Sequence, residues 1–531
     1  MRKKVLTLTA VLAAAVLLAG CTDATNPRPQ STPTDGPHVL RVLAGSEVKD
    51  MLPLFTEAEK VTGVHVNLTY TGTLDGTEAV ANGQTQGRYD ATWFPSDRYL
   101  NLLQGGTAAV RQETKVMSSP VVLGLKKPVA ARLGWDRKTP TWTDIVTAVR
   151  SGQLTYGMAS PVSSNSGFSA LIEAATALSG TGNALVSADI KKVSPNLVTL
   201  FQGQTLTSGS SGWLADKFAA NSNQADGLFN YESLLNTVRV SGQPLTIIRP
   251  SDGIITADYP LALLTSAKAG KSGLYTKLTG YLMRPDVQRQ IAARTHRFTT
   301  TNPRPSTASV FELPFPNQLS TVKALLGTYL GRIKKPSDAV FTIDTSGSMG
   351  EGGRLARLQQ ALSFTTQTDA ANTFTSYQSR ESVTYVNFAG GIKGVDHFGV
   401  SDATRTADLR RISGYIKKLS ADGGTAIYDA LETSYQHAAS LKQQHPGNFV
   451  SVVLFTDGEN NAGRDLGRFV DDFQRDRASN PALASIPTYV VLFGEGNTDD
   501  LTKVANLTGG KVFDAQHSNL TDVFKEIRGY Q

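Results

Sequence analysis

Apolar positions along this chain change their spacing repeatedly, and each change marks the passage from one short element to the next. Val39 to Ala44 is an apolar run ending in Gly45-Ser46. Val48, Leu52, Phe55, Ala58 and Val61 then recur at helical spacing, and Val64, Val66, Leu68 and Tyr70 alternate at period two. The pattern predicts strand, helix, strand. It continues through Ala91 to Phe94, an extended Pro120 to Leu125, a helical Trp142 to Val149, a strand at Leu154 to Met158 and a helix over Phe168 to Leu178. Asn302-Pro-Arg-Pro and Glu312-Leu-Pro-Phe-Pro break the periodicity near 300 to 320. Leu319, Val322, Leu325, Leu326, Tyr329 and Ile333 then predict one bridging helix, stopped by Pro336. A second alternation follows, from Ala339 to Ile343 through to Leu520 to Ile527. Its runs Val-Ser-Val-Val-Leu-Phe and Tyr-Val-Val-Leu-Phe are apolar almost throughout, as strands buried on both faces of a parallel sheet must be.

In the first region the predicted strands end in small polar loops: Gly45-Ser46, Thr71-Gly72-Thr73 and Pro95-Ser96-Asp97. Open α/β sheets bind ligands at such carboxyl ends. Ser163-Ser164-Asn165-Ser166-Gly167 opens a helix, where hydroxyls and free N–H groups can hold an anion or a carboxylate-bearing solute, or simply cap the helix. Three further stretches carry a resemblance: Ser119-Pro-Val-Val-Leu-Gly-Leu-Lys, the return Ile248-Arg-Pro-Ser-Asp-Gly before Asp258-Tyr-Pro-Leu-Ala, and the late Tyr281-Leu-Met-Arg-Pro-Asp-Val-Gln-Arg. With the opening Val-Leu-Ala-Gly-Ser-Glu, their order resembles the extracellular solute-binding proteins of ABC uptake systems. The resemblance implies two lobes joined by crossing strands near 118 to 126 and 225 to 250, around a cleft. Ser46, Thr71, Ser96, Ser164, Asn165 and Tyr231 are the candidate ligand-binding residues, and each is otherwise a polar loop residue without a ligand. Trp93, Phe94 and Trp213 can face a solute or fill the core. Gly270-Lys271-Ser272 is no phosphate loop, because position 265 is Thr where a Gly is required; Lys271 is expected solvated at a helix start.

The densest chemistry lies in the second region. After Val340-Phe-Thr-Ile the chain reads Asp344-Thr-Ser346-Gly-Ser348, a carboxylate and two hydroxyls at alternate positions. Thr425, after Asp422-Gly-Gly, and Asp457, in Thr-Asp-Gly after a strand, fall at predicted ends of the same sheet. Five hard oxygen donors from three loops suit Mg²⁺, Mn²⁺ or Ca²⁺ and leave one coordination position open. These residues resemble the metal-ion-dependent adhesion site of the von Willebrand factor A domain. The resemblance implies that Asp344, Ser346, Ser348 and Thr425 approach the cation, that Asp457 acts directly or through water, and that a carboxylate of a protein partner fills the open position. A metal held mainly by neutral hydroxyls keeps the positive charge that attracts an Asp or Glu.

Ahead of both regions, Arg2, Lys3 and Lys4 precede an uncharged run too short to span a bilayer but right for a secretory signal. It closes Leu18-Ala19-Gly20-Cys21, which resembles the bacterial lipoprotein signal and implies acylation of Cys21, giving palmitate-type anchorage to the membrane. The 531 residues contain this one cysteine, so no intrachain disulfide and no Cys-ligated zinc site exists. Seven histidines without an i, i+4 pair remove the common zinc-hydrolase signature. The net charge of +7 is spread without a Lys/Arg cluster beyond the leader, which argues against nucleic acid as the main partner.

The organisation expected is therefore a signal peptide over 1–20, a flexible tether over 21–37, a solute-binding-protein-like domain over 38–300, a linker with its helix over 301–336 and an A domain over 337–531. The fold class is α/β: a two-lobed periplasmic-binding-protein-like domain plus a Rossmann-like, doubly wound A domain. The expected function is that of a non-enzymatic, lipid-anchored binding protein of the bacterial cell envelope. Its A domain takes a divalent cation and a protein partner beside a cleft for a small solute. Two alternatives stand with it: an ABC-transporter solute receptor with an accessory A domain, and a cleft that is vestigial or takes a peptide. A metal-dependent hydrolase fits less well, since the position two after Asp344 is Ser346 and no second acid stands there.

Overall fold

The computed structural model describes residues 34–304, 311–368, 376–494, 496–516 and 520–529. The signal peptide, Cys21 and most of the expected tether lie outside the described residues. Among the described residues no helix is long and apolar enough to cross a membrane.

Three mixed sheets carry the fold, each with helices against it. The first runs His65–Tyr70, Val39–Ala44, Ala91–Trp93, Pro260–Leu264, Val110–Lys115. Its first three strands are parallel, and Pro260–Leu264 lies antiparallel to both neighbours. The second runs Thr246–Ile248, Ser119–Leu125, Gly227–Tyr231, Tyr156–Ala159, Gln204–Ser208. These sheets are the two expected lobes. The chain enters the second lobe at Ser119, as the sequence predicts. It does not return through 225 to 250: Gly227–Tyr231 and Thr246–Ile248 both pair within the second sheet, and the return is made by Thr256–Ala257 and Pro260–Leu264.

The bridging helix forms as Leu319–Thr328, with one wider turn over Tyr329–Ile333. Val322, Leu325, Leu326, Tyr329, Leu330 and Ile333 are buried in the same apolar cluster as both lobes. Physically the helix belongs to the first domain's core, because its apolar stripe packs on helix Ser187–Gln202.

The third sheet runs Ile392–Gly399, Ser382–Phe388, Ser337–Asp344, Phe449–Thr456, Thr488–Leu492, Lys511–Asp514. All neighbours are parallel except the edge strand Ile392–Gly399. Odd and even residues of the central strand serve opposite faces. Phe341 and Ile343 meet helices Arg354–Phe364, Arg405–Ile416 and Leu520–Gly529; Val340 meets helices Ile427–Gln444, Leu466–Ser479 and Thr498–Thr508. This is a doubly wound, Rossmann-like domain. Chain order reverses on either side of Ser337–Asp344, so the crevice of such a sheet opens at the carboxyl end of that strand, at Asp344.

Candidate metal and ligand sites

Asp344 is the last residue of the central strand and is fully buried. The register that sets Ile343 beside Phe455 brings Thr456 alongside it, and the Thr456 hydroxyl donates to Asp344 Oδ2 at 2.6 Å. The other carboxylate oxygen accepts from the Ser346 N–H at 2.9 Å, which folds the loop back over the strand end. Thr345 is pinned on the opposite side: its N–H and its hydroxyl both donate to the Phe388 carbonyl, and the hydroxyl also reaches Asn387 Oδ1 at 2.6 Å. With Thr345 fixed, Ser346 and Ser348 turn the same way, and their hydroxyls lie 3.2 Å apart.

Two backbone bonds bring the second loop in. The Gly347 N–H donates to the Gly423 carbonyl at 2.9 Å, and the Asp422 N–H donates to the Thr345 carbonyl at 2.9 Å. Gly423 has φ +74°, left-handed backbone in which a side chain is strained. Thr425, 1% exposed, is held by Asn461, whose side-chain oxygen accepts from the Thr425 N–H at 2.7 Å. Asn460 likewise accepts from the Ile427 N–H and starts the helix. Asp457 completes the set from the third loop. Its Oδ2 accepts from Arg354 Nη1 at 3.2 Å, and the same nitrogen donates to the Ser348 carbonyl at 2.9 Å. Its Oδ1 is buried with no hydrogen-bond partner.

The three sequence-predicted loops therefore converge on one sheet edge. Asp344, Ser346 and Ser348 are joined directly, Asp457 joins them through Arg354, and Thr425 through the backbone. Sequence reasoning missed Arg354, Thr456, Asn460 and Asn461. Thr456 and the two asparagines sit in the stretch Thr-Asp-Gly-Glu-Asn-Asn around Asp457, the one signal that points to them.

Burial pushes the Asp344 carboxyl up to about 6; the neighbouring Asp457 charge adds to the rise, and the bonds from Ser346 and Thr456 oppose it. A carboxylate held at such a cost, next to an orphaned buried Asp457 oxygen, is the electrostatic condition a cation relieves. Among the described residues there is no group of three or more His, Cys, Asp or Glu able to hold a metal. The donor set is two carboxylates and three hydroxyls, which fits a hard cation of the magnesium type.

In the first domain the candidate ligand residues divide. Ser46 of the first lobe reaches Ser210 of the second, with hydroxyl oxygens 3.4 Å apart. Ser164 bonds Ser211 at 2.9 Å and Ser166 at 3.2 Å, and Asn165 donates to the Tyr231 hydroxyl at 3.0 Å. These three belong to the second lobe's wall. Thr71 and Ser96 stay in first-lobe loops: the Thr71 N–H donates to the Ala44 carbonyl, and Ser96 accepts from the Arg98 N–H. The lobes touch, since a Cβ on Gly72 would lie 2.8 Å from the Ser163 carbonyl oxygen. Tyr231 is held far above the ordinary tyrosine value by burial and by the Glu47 charge.

Trp93 and Phe94 are core residues. Lys271 corrects an expectation: it does start a helix, but it is 5% exposed rather than solvated. Its ammonium donates to Asp35 and to the Gly36 and Val39 carbonyls and lies 3.6 Å from Asp90. It fastens the chain's entry to the first lobe.

Residues 40–294 match the family model of the bacterial extracellular solute-binding protein, and residues 339–459 match that of the von Willebrand factor type A domain. No curated protein matches the chain. Among solved structures, the periplasmic binding protein P5PA is 14% identical, covering 56% of this chain and 99% of its own, with a TM-score of 0.42. The periplasmic binding protein AfuA from Actinobacillus pleuropneumoniae is 13% identical, covering 55% and 98%, at 0.42. The sulfate-binding protein SubI from Mycobacterium tuberculosis H37Rv is 19% identical, covering 54% and 96%, at 0.39. The chain thus joins a region that matches a solute-binding family to a region that matches a von Willebrand factor A domain.

Proposed function

Starting from those two domains, we propose that the protein is a lipid-anchored receptor of the cell envelope whose A domain binds a protein partner through a divalent cation. Asp344, Ser346, Ser348, Thr425 and Asp457 hold the cation, Mg²⁺ first and Mn²⁺ or Ca²⁺ as alternatives. Bound there, the cation supplies a Lewis-acidic position for an Asp or Glu of the partner. Thr456 orients Asp344, and Asn460 and Asn461 hold the Thr425 loop against it. Arg354 carries positive charge beside Asp457. Cys21 is the acylated residue, on the strength of the Leu-Ala-Gly-Cys run.

The observation that carries this reading is the buried, unpartnered Asp457 Oδ1 beside Asp344. Calorimetric titration of Mg²⁺ and Mn²⁺ into the wild type and Asp344→Asn tests it. Uptake by the wild type and none by the variant is expected; equal uptake overturns the reading. Surface plasmon resonance on Glu- and Asp-rich peptides, with and without EDTA, then tests the partner chemistry.

A second reading is favoured by the match over residues 40–294: an uptake receptor for a small polar solute, with the A domain as accessory. A thermal-shift panel of solutes on the whole protein, run in EDTA, separates the two. A hydrolytic use of the same carboxylates is less favoured, because the position two residues after Asp344 is Ser346 rather than an acid.

A further inference from the structure

The last helix of the A domain, Leu520–Gly529, does more than cover its own sheet. It is anchored at home by Phe524, stacked on Phe455 with ring centroids 5.4 Å apart, and by Arg528, whose guanidinium is buried against Glu381. The face it turns outward touches both lobes of the first domain. Toward the second lobe, the Thr207 hydroxyl donates to the Gly529 carbonyl at 3.3 Å. A Cβ on Gly529 would lie 2.9 Å from Gly209 Cα and 3.3 Å from Ser163 Oγ, so two glycines allow the backbones to meet. Trp213 packs against the apolar cluster that contains Val523, Phe524 and Ile527. Toward the first lobe, Lys525 Nζ lies 2.8 Å from Asp75 Oδ1, on helix Thr73–Ala81.

Those contacts fall where the lobes meet each other. Gly72, three residues before Asp75, backs onto Ser163, and Ser163 in turn faces Gly529. Ser46 and Ser210 touch across the same divide. A two-lobed binding domain admits its solute by hinge opening, with the lobes moving as nearly rigid bodies. A helix fixed to one lobe by close backbone packing and to the other by an ion pair opposes that motion, and it opens only if one attachment breaks.

We propose that helix Leu520–Gly529 is a latch: seated on the second lobe through Gly529, it holds the first lobe shut through Lys525 and Asp75. The cleft then opens to solute when the helix releases Asp75. The ion pair is the weaker attachment, since both side chains keep about 30% exposure, whereas Gly209 and Gly529 pack without a gap. In its consequence for uptake the latch rests on the solute-receptor reading; as a mechanical claim it does not, and the measurement below needs no solute.

The test measures the distance between lobes by double electron–electron resonance. Spin labels go at Gln84→Cys on the first lobe and Ala219→Cys on the second, both exposed, in the full chain carrying Cys21→Ser. Wild-type contacts should give one short, narrow distance distribution. Lys525→Glu and Asp75→Lys, each alone, should add a longer population, and the double charge swap should restore the short one. Single variants as closed as the wild type overturn the latch. So does a double variant as open as the singles, which assigns the change to local damage. If the swap restores closure while the solute panel finds no ligand, the latch stands and the solute reading fails.

Discussion

Removing the Arg354 guanidinium separates a metal site from a merely polar loop cluster. In the folded protein Arg354 is the cation that faces the Asp457 carboxylate, with side-chain exposures of 28% and 4%. Breaking a buried pair by deleting one partner costs about 3–5 kcal/mol. The partly exposed arginine lets water in, so the expectation for Arg354→Ala in EDTA falls to about 1–3 kcal/mol. In a domain of this size each kcal/mol moves Tm by about 2–4 °C, which predicts a loss of roughly 2–12 °C for the A-domain transition. Mg²⁺ should narrow that gap. A cation at 100 times its Kd stabilises by about 2.7 kcal/mol, and in the variant it also supplies the positive charge that Asp457 has lost. Its affinity for Arg354→Ala should therefore exceed that for the wild type. A residual deficit of about 1 kcal/mol is expected from the lost bond to the Ser348 carbonyl. The assay is differential scanning calorimetry of both proteins in EDTA and in saturating Mg²⁺. A deficit of the same size in both buffers would refute the reasoning, because the cation would then have no business with Asp457.

Thr456→Val removes the hydroxyl that donates to Asp344 and accepts from the Gly458 N–H, and should weaken Mg²⁺ binding about 10–100-fold in calorimetry; a change under twofold counts against the orienting role. Asp97 is buried with neither carboxylate oxygen partnered, and burial, with Glu113 and Asp258 nearby, raises it from 3.8 to about 8. Its folded form keeps a proton that the unfolded chain loses above 3.8, so stability falls by about 1.4 kcal/mol per pH unit between those values. Asp97→Asn should flatten that slope in urea unfolding at pH 5, 6 and 7, and parallel slopes would count against it. Lys271→Met leaves Asp35 and two carbonyls without their donor and should speed limited proteolysis near residues 35–39; an unchanged cleavage pattern would show that the anchor lies elsewhere.

What the sequence reveals of this molecule follows from where each residue's partners lie. The central strands of the A domain are legible because a strand covered on both faces must be apolar almost throughout, as Val450 to Phe455 is but for the buried Ser451. The edge strand Ile392–Gly399 was not, for the opposite reason: it is exposed along nearly its whole length, with Ile392 and Val395 about 40% exposed. Its place comes from pairing with Ser382–Phe388, which no periodicity records. The return between lobes was misplaced because Gly227–Tyr231 and the strand after it have the apolar look of a crossing segment, and only sheet pairing tells an inner strand from a hinge. Lys271 reads as solvated because a lone lysine usually is; its partners Asp35 and Asp90 are far away along the chain.

The loops of the candidate metal site obey the same rule and come out the other way. Asp344, Ser346 and Ser348 advertise themselves because one strand end supplies three donors two residues apart, so local spacing alone turns them together. Arg354 belongs to the same site and stayed invisible, since its reason for being there is a carboxylate on another strand. Local spacing can thus announce where oxygen donors gather, but not the charge that attends them. That charge decides how tightly a cation sits: an arginine already facing Asp457 lowers the gain from binding one. On the proposed reading, such a site is expected to hold a cation that comes and goes rather than one locked in place.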